Sequence, residues 1–296
     1  MYYIGIDGGG TKTLFGLFDD KGNLLKTHTE GTTHYVQAGY DGVTEIIKRG
    51  IAILSEGIDE VIPVGLGLAG YGREIIVRQN LEKAVLEAIG HERYVLKNDA
   101  QIALNGALNG NDGILVIAGT GSIAMSRFDG VDDRCGGWGY SVGDEGSAYW
   151  IGKKVLVEFS KQSDGRHEKT ALYDLVKEVT QIGDDANIIA YVNQTLQNKR
   201  EEIAKLALIC AKGAELNDPS CLDIYKEVAS EISAMVNVLA RKSQKEKVLM
   251  SYTGGVWKGR CYMDETFKQC LDANVELIEA IHGPIYGAYL FAKGLQ

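Results

Sequence analysis

A carboxylate, three glycines and a short polar run follow the first apolar segment of this 296-residue chain. The carboxylate is Asp7, the glycines are Gly8–Gly10, and Thr11, Lys12 and Thr13 complete the run. Glycines have no Cβ, so their backbone N–H groups can approach an anion closely. A carboxylate beside them suits a magnesium ion held through water. The pattern predicts a turn that binds phosphate.

Two well-known phosphate loops do not fit this stretch. A P-loop has a glycine directly before its lysine and a helix after it, whereas Thr11 precedes Lys12 and a strand-like run follows. The dinucleotide-binding fingerprint needs a third glycine where Thr13 stands. The stretch therefore reads as a turn within a β-hairpin. An ordinary hairpin turn is the alternative, but three glycines exceed what a hairpin requires.

The same pattern of strand, glycine turn and strand returns in the middle of the chain. Residues 113–118 form an apolar run, Gly119–Ser122 form a turn of small residues, and residues 123–128 form a second apolar run. The two turns lie about 110 residues apart, which indicates an internal duplication of architecture. Two such turns facing each other would hold a polyphosphate from both sides.

Asp99 has two interpretations that the residues alone leave equal. It stands where a strand that begins at Tyr94 ends and a helical pattern begins. Ligands of open α/β sheets bind outside the carboxyl ends of the strands, which favours a chemical role. An aspartate at the start of a helix also serves as a plain N-cap.

A glycine-rich segment, residues 135–147, follows the second turn and contains Trp138 and Asp144. An exposed ring offers a sugar a flat apolar face, and a carboxylate accepts hydrogen bonds from its hydroxyls. The alternative is a loop that Trp138 anchors, with Asp144 capping the next helix. We favour the sugar site because the segment follows so closely on a phosphate turn.

The composition is that of an ordinary globular protein, with 45% hydrophobic and 24% charged residues. Its net charge of −9 argues against a nucleic-acid backbone or an anionic membrane as partner. Five widely spaced cysteines form no metal-like pair and indicate reduced thiols. No apolar run reaches membrane length and no signal peptide precedes the first strand, so we expect a cytoplasmic protein.

The remaining segments supply elements rather than chemistry. Residues 168–243 read as successive helices, in which Lys199–Glu202 is predicted to be a solvated charged face and Cys210 a core residue. Gly254 and Gly255 follow a later strand, which is a weak signal for adenine or ribose. His282 lies beside the start of a final helix that opens with proline, where we expect a capping or structural role rather than catalysis.

Several of these segments occur together in one order: Asp7–Thr13, Asn98–Ala100, Ala118–Ser122, Gly136–Gly139 with Gly143–Ser147, and Thr253–Gly255. As an ordered set they resemble the N-acetylglucosamine kinase type of the BadF/BadG/BcrA/BcrD ATPase family, within the actin, Hsp70 and sugar-kinase superfamily. The resemblance covers essentially the whole chain. The Gly-Gly-Trp-Gly and Gly-Asp-Glu-Gly-Ser pair is its most specific part.

The resemblance implies an α/β fold of two ribonuclease-H-like (actin-like ATPase) domains with a nucleotide cleft between them. The N-terminal domain would comprise residues 1–112 plus 284–296, and the C-terminal domain residues 113–283 with a helical insertion. The resemblance also implies an enzyme that uses ATP and Mg²⁺ to phosphorylate the 6-hydroxyl of N-acetylglucosamine. We also expect a homodimer that binds a small amino sugar and neither nucleic acid nor membrane.

The family's functional residues carry over where the motifs match. Asp99 would be the catalytic base, which decides between its two interpretations, and Asp7 would hold the metal. Nucleotide contacts would come from Gly9, Gly10, Thr11, Lys12, Thr13, Thr120, Gly121, Ser122, Gly254 and Gly255. Sugar contacts would come from Thr33, His34, Asn98, Asp99, Thr120, Gly137, Trp138 and Asp144.

Two departures from the family's pattern bear on the substrate. In the sugar-kinase relatives, the loop after the third strand resembles Thr-Asn-His, and this chain has Thr32–His34 there, so Thr33 replaces an asparagine. Ala69 stands where some relatives have a serine. Both changes shorten the polar side chains that line the sugar site. We therefore expect room for the lactyl ether of N-acetylmuramic acid, so that this sugar is also accepted. A glucosamine kinase and an ATPase switch or activator are the alternatives. No cysteine pair has the spacing of the iron–sulfur activators in this family.

Overall fold

The structure is a computed structural model that describes residues 1–72 and 74–295. The chain divides into two compact units. The first comprises Met1–Gly113 and Glu279–Gln296, and the second comprises Ile114–Ile278. Each unit contains a mixed five-stranded sheet with helices, which confirms the predicted α/β class.

The sheet of the first unit has the strand order β3-β2-β1-β4-β5. Its first three strands pair antiparallel as hairpins, and β4 and β5 run parallel to β1. Because parallel strands end at the same edge, the residues directly after β1, β4 and β5 share that edge. The strands are β1 (Tyr2–Gly8), β2 (Lys12–Asp19), β3 (Leu24–Gly31), β4 (Val64–Leu68) and β5 (Tyr94–Asn98).

In the part of the first unit that the structure describes, the helices are α1 (Tyr35–Leu54), α2 (Ile75–Ile89), α3 (Asp99–Ala107) and, from the far end of the chain, α11 (Pro284–Lys293). Periodicity predicts that the first helix begins at Gly39, but α1 begins earlier. The His34 side chain accepts a hydrogen bond from the Val36 N–H and so caps an additional first turn. That turn ends in a kink at Gly39, whose φ is 69°.

The sheet of the second unit repeats the order of the first. Read from its β8 edge it is β8-β7-β6-β9-β10, so in both units the strands lie in the order third, second, first, fourth and fifth. This repeated order is the internal duplication that the two glycine turns indicate. The strands are β6 (Gly113–Ala118), β7 (Ser122–Phe128), β8 (Val131–Gly136), β9 (Val248–Thr253) and β10 (Val275–Leu277).

Strand β8 includes the first two residues of the glycine-rich segment, Cys135 and Gly136. They pair antiparallel with β7. Asp129 and Gly130 form the connecting turn, and both have positive φ. The strand lies at the sheet edge and is largely solvent-facing, so it lacks the apolar run that identifies buried strands.

The second unit buries its core between its sheet and the predicted run of helices, and Cys210 lies fully buried there as expected. Within the described residues, no helix has both the length and the apolarity to cross a membrane. The helices are α4 (Ala148–Ser163), α5 (Ala171–Thr180), α6 (Ile188–Ala190), α7 (Arg200–Lys205), α8 (Ala207–Glu215), α9 (Pro219–Ser243) and α10 (Asp264–Cys270), with a π-helical segment (Tyr191–Thr195) and 3-10 segments (Asp185–Asn187 and Gly255–Tyr262).

Candidate active site

The first glycine turn connects β1 and β2 and is fixed by neighbouring polar groups. The Gly9 N–H donates to the Lys12 carbonyl at 3.0 Å. The Thr32 hydroxyl donates to the Gly9 carbonyl at 2.8 Å, and the Gln37 side chain donates to the Gly10 carbonyl at 3.0 Å. The turn's carbonyls are thus held by the β3–α1 connection and the first turn of α1, while Gly10, Thr11 and Lys12 are exposed. A rigid, exposed turn of this kind is suited to bind an anion.

Thr13 and Thr33 lie beneath this turn. Both are fully buried, and the Thr13 hydroxyl donates to the Thr33 hydroxyl oxygen at 3.1 Å. The Thr33 side chain therefore packs against the base of the glycine turn in this structure. Contact between Thr33 and a sugar stays a prediction.

Asp7 and Asp99 form the acidic part of the first unit's sheet edge. Asp7 lies near the end of β1, and Asp99 follows β5 directly. Burial and, to a smaller extent, the charge of Asp99 raise the pKa of Asp7 to about 6, while Lys12 opposes the shift. Burial also raises the pKa of Asp99. The two carboxylates therefore interact in a partly desolvated place, which is typical of functional sites.

The cap of α3 separates the two interpretations of Asp99. The N-cap residue is Asn98, whose side chain accepts from the Ala100 N–H, while Gln101 accepts from the Asn98 N–H in a capping box. The Asn98 amide also donates to the Tyr71 carbonyl at 3.3 Å. Because Asn98 caps the helix, Asp99 is not needed as the cap. The predicted sugar contact of Asn98 would use a side chain that is already held in place.

His34 lies near the same edge. Besides capping α1, its ring stacks on Tyr35 with centroids 5.4 Å apart. The charge of His34 is one of the influences that lower the pKa of Asp99, opposing the effect of burial. His34 is half-buried, so it lies beside the carboxylate without being sealed from solvent.

The second glycine turn, between β6 and β7, is tied to the start of α4. The Ala148 N–H donates to the Gly119 carbonyl at 2.8 Å, and the Ser122 hydroxyl donates to the Glu145 carbonyl at 2.6 Å. Thr120 is exposed at the tip, whereas Ser122 is buried. The turn is therefore held rigidly by the segment that the sequence assigns to the sugar.

Asp144 is almost fully buried and pairs with an arginine that sequence reasoning missed. Its Oδ2 accepts from the Arg200 guanidinium at 2.7 Å, with side-chain exposures of 3% for Asp144 and 31% for Arg200. Helix α4 is capped by Ser147, so Asp144 is not its cap. The prediction that Lys199–Glu202 is a solvated charged face is wrong for Arg200. No short-range pattern reveals this pair, because 56 residues separate its members.

Trp138 stands exposed in the glycine-rich loop, with 68% of its surface accessible. Its flanking residues Gly137 and Gly139 have positive φ. The Arg134 guanidinium lies 4.9 Å from the ring centroid, and it donates to the Gly137 carbonyl at 2.9 Å. A ring this exposed does not anchor the loop, and it remains free to stack on a ligand.

Gly254 follows β9, and Gly255 is the first residue of the 3-10 segment. Trp257 follows them, is buried, and stacks on Tyr252 with centroids 4.3 Å apart. The double glycine thus lies in sequence between the two residues of a stacked aromatic pair. A nucleotide contact at these two residues stays a prediction.

The structure brings the predicted residues together in two sets. In the first unit, the glycine turn, His34, Asn98, Asp99 and Asp7 share one sheet edge. In the second unit, the second glycine turn contacts Asp144, and β8 leads into the Trp138 loop. Among residues 1–72 and 74–295, no cluster of three or more His, Cys, Asp or Glu side chains suits a metal ion.

Comparison with known proteins identifies the family. The model of the BadF/BadG/BcrA/BcrD ATPase family matches residues 4–292. An N-acetylmuramic acid/N-acetylglucosamine kinase of Clostridium acetobutylicum is 31% identical, over 99% of this chain and 98% of that protein. An N-acetyl-D-glucosamine kinase of Dictyostelium discoideum is 29% identical, over 98% of this chain and 97% of that protein.

A solved structure agrees with these relatives. The crystal structure of a candidate N-acetylglucosamine kinase from Chromobacterium violaceum superposes with a TM-score of 0.75 at 26% identity, covering 98% of each chain. Fold and site together define an α/β protein with a duplicated five-stranded sheet and a glycine turn in each half. The chain belongs to the BadF/BadG/BcrA/BcrD ATPase family, which confirms the resemblance seen in its motifs.

Proposed function

We propose that the chain is an ATP-dependent sugar kinase that phosphorylates the 6-hydroxyl of N-acetylglucosamine and also accepts N-acetylmuramic acid. The named activities of the Clostridium and Dictyostelium relatives, which align over nearly the full length, support this substrate class. The observation that carries the proposal is Asp99, a desolvated carboxylate at the end of β5 whose helix is capped by its neighbour.

Asp99 acts as the general base. It takes the proton of the sugar 6-hydroxyl as that oxygen attacks the γ-phosphorus of ATP, and the bond to the bridging β–γ oxygen breaks to release ADP. Burial raises the pKa of Asp99, which makes it a stronger base than an exposed aspartate. The charge of His34 opposes this shift and favours the ionised form that accepts the proton.

The chain would comprise two ribonuclease-H-like domains, residues 1–112 plus 284–296 and residues 113–283, and each would contribute contacts to the nucleotide. The N–H groups of the two glycine turns bind the phosphates. Lys12 adds a positive charge at the first turn, and Gly254 and Gly255 contact the adenosine. The hydrogen bonds that fix the first turn support this role, because a preorganised anion site has less to rearrange on binding.

The residues of the first unit fit a magnesium ion that arrives with the nucleotide. Magnesium is usually held by one or two carboxylates together with water and substrate phosphates, and Asp7 and Asp99 are an interacting pair of that kind. Asp7 would hold the ion, which neutralises charge on the phosphate oxygens when bound. A nearby cation would also offset the effects of burial and of the Asp99 charge, which raise the pKa of Asp7.

The sugar lies against Trp138 and is hydrogen-bonded by Asp144. The exposed ring and the buried carboxylate support this assignment. Thr33 affects which sugars the site accepts, because its side chain is short, buried and hydrogen-bonded to Thr13. Together with Ala69 it leaves the lining shorter than asparagine and serine would, which favours acceptance of the lactyl ether of N-acetylmuramic acid.

The test is a coupled assay of ADP release with N-acetylglucosamine, N-acetylmuramic acid and glucosamine, with mass spectrometry of the sugar products. We expect ADP release to depend on N-acetylglucosamine and to yield its 6-phosphate, with N-acetylmuramic acid also phosphorylated. Equal ATP hydrolysis with and without sugar would instead identify an ATPase switch. A strong preference for glucosamine would change the proposed substrate but leave the kinase assignment unchanged.

The broadened substrate range has its own test. Thr33→Asn should reduce kcat/KM for N-acetylmuramic acid relative to N-acetylglucosamine. No phosphorylation of N-acetylmuramic acid by the natural protein, together with an unchanged profile in the variant, would remove this part of the proposal.

We also propose that the protein is a homodimer, which light scattering on the purified protein would measure.

A further inference from the structure

Arg200 and Asp144 form an ion pair that differs from the exposed pairs of the second unit. The Asp144 side chain is 3% exposed, so its charge has lost almost all of its hydration. Its backbone has a φ of +62°, which is uncommon outside glycine and is held only where the surroundings enforce it. By contrast, Arg241 pairs with Asp272 while 69% of its side chain is exposed.

The pair lies directly against the second glycine turn. A Cβ on Gly121 would lie 2.0 Å from Nη2 of Arg200 and 2.7 Å from Oδ2 of Asp144. Any side chain at this position would therefore displace the ion pair. Gly121 has a role besides exposing its N–H to a ligand, because it leaves the space that the guanidinium and carboxylate fill.

Arg200 reaches this position from the inserted helices through an unusual backbone. It is the first residue of α7, and Gln197 and Asn198 just before it have φ of 53° and 52°. The π-helical segment Tyr191–Thr195 ends two residues before Gln197, and such segments are rare and frequently occur at functional sites. Consecutive left-handed residues have a conformational cost, so the structure maintains a strained connection that places this arginine.

Stability alone gives a weak reason for such a pair. Removing two charges from water costs about as much as their attraction returns, so buried ion pairs contribute little net stability. The Nε of Arg200 is in addition buried without a hydrogen-bond partner in the structure. The arrangement is better explained by what the pair does to the carboxylate, which it holds in one orientation.

We infer that Arg200 is a positioning residue for substrate binding: it holds the Asp144 carboxylate beside the second glycine turn so that Asp144 can accept hydrogen bonds from the sugar. The inference rests on the proposed kinase function. It extends the sugar site to the inserted helices, which contribute this residue through α7.

Steady-state kinetics of the full chain test the inference. Arg200→Gln should raise KM for N-acetylglucosamine about 10- to 100-fold, the size of one charge-assisted hydrogen bond, while KM for ATP changes little. Arg200→Lys should recover part of the loss because it restores the charge. Arg241→Gln, which removes an exposed ion pair from the same unit, is the matched control and should behave like the natural protein.

A double-mutant cycle separates positioning from a structural role. If Arg200 acts through Asp144, adding Arg200→Gln to Asp144→Asn should raise KM for the sugar no further. A folded Arg200→Gln variant with an unchanged sugar KM, or with the loss confined to KM for ATP, would overturn the inference. If Arg200→Gln does not fold, Arg200→Lys with the same cycle decides the question. Absence of sugar phosphorylation by the natural protein would refute the proposed function instead.

Discussion

At the scale of single residues, Asp99 shows how a local hydrogen-bond pattern can assign a role. An aspartate at a helix start is usually a cap, but here Asn98 and Gln101 provide both halves of the capping box. The Asp99 carboxylate therefore remains available for chemistry, even though one of its oxygens accepts from the Ala100 N–H at 2.9 Å.

Asp99→Asn should lower the turnover of sugar phosphorylation by about 10²- to 10⁴-fold, the usual contribution of a general base. The substitution keeps the size of the side chain and removes its basicity, and the capping box is untouched, so folding and ATP binding should persist. Turnover and ATP affinity would be measured side by side, with Asp20→Asn as an exposed control in the same unit. Turnover close to that of the natural protein would exclude Asp99 as the base.

The negative charge of ionised Asp7 is expected to lower the free energy of unfolding. Its pKa rises from 3.8 to about 6 on folding, so the native state binds a proton more tightly than the unfolded state. The stabilisation from that proton is complete below about pH 3.8 and is lost as the pH rises through about 6.

Asp7→Asn should therefore raise the free energy of unfolding at pH 7.5 by about 1–3 kcal/mol, since each pKa unit corresponds to about 1.4 kcal/mol. The gain should vanish near pH 4, where the natural side chain is protonated as well. Urea unfolding at the two pH values, without magnesium or nucleotide, measures the difference. An equal gain at both pH values would show that charge is not the cause.

At the scale of elements, a substitution in the Trp138 loop is expected to change sugar binding without changing the stability of the fold. The ring is exposed and contacts Arg134, so its removal deletes little buried surface. Trp138→Ala should weaken sugar binding much more than ATP binding and leave the melting temperature nearly unchanged. Calorimetry with each ligand tests this, with Val142→Ala as an exposed control in the same loop. A collapse in stability with normal sugar affinity in the folded fraction would restore the anchor interpretation.

The sequence is most informative about elements with a strong local pattern. Buried strands such as β6 and the glycine turns stand out because apolar runs and glycine clusters are local signals. Strand β8 does not, because an edge strand lacks an apolar run and this one ends in glycine. The same limit applies to the site: Asp7 and Asp99 belong to motifs, whereas the partner of Asp144 lies 56 residues away on a charged helix.

At the scale of the whole molecule, the chain begins and ends in the same unit. Helix α11 packs against β1, β4 and α3, and its Tyr289 forms a small core with Tyr3 and Phe18. The candidate base, Asp99, is the first residue of α3. The last residues of the sequence thus support the helix that carries the proposed chemistry.

The contact between α11 and α3 is close enough to test with a single methyl group. A Cβ on Gly287 would lie 1.9 Å from the Ile102 carbonyl oxygen, so the two helices can approach only because residue 287 is glycine. Gly287→Ala should lower the free energy of unfolding by about 1–3 kcal/mol, the usual cost of overpacking. Gly294→Ala is the matched control, because its Cβ would have ordinary contacts at 3.5 Å. Hydrogen exchange should show the loss of protection concentrated in α3 and β1. Unchanged stability and exchange in Gly287→Ala would mean that α11 does not set the position of α3.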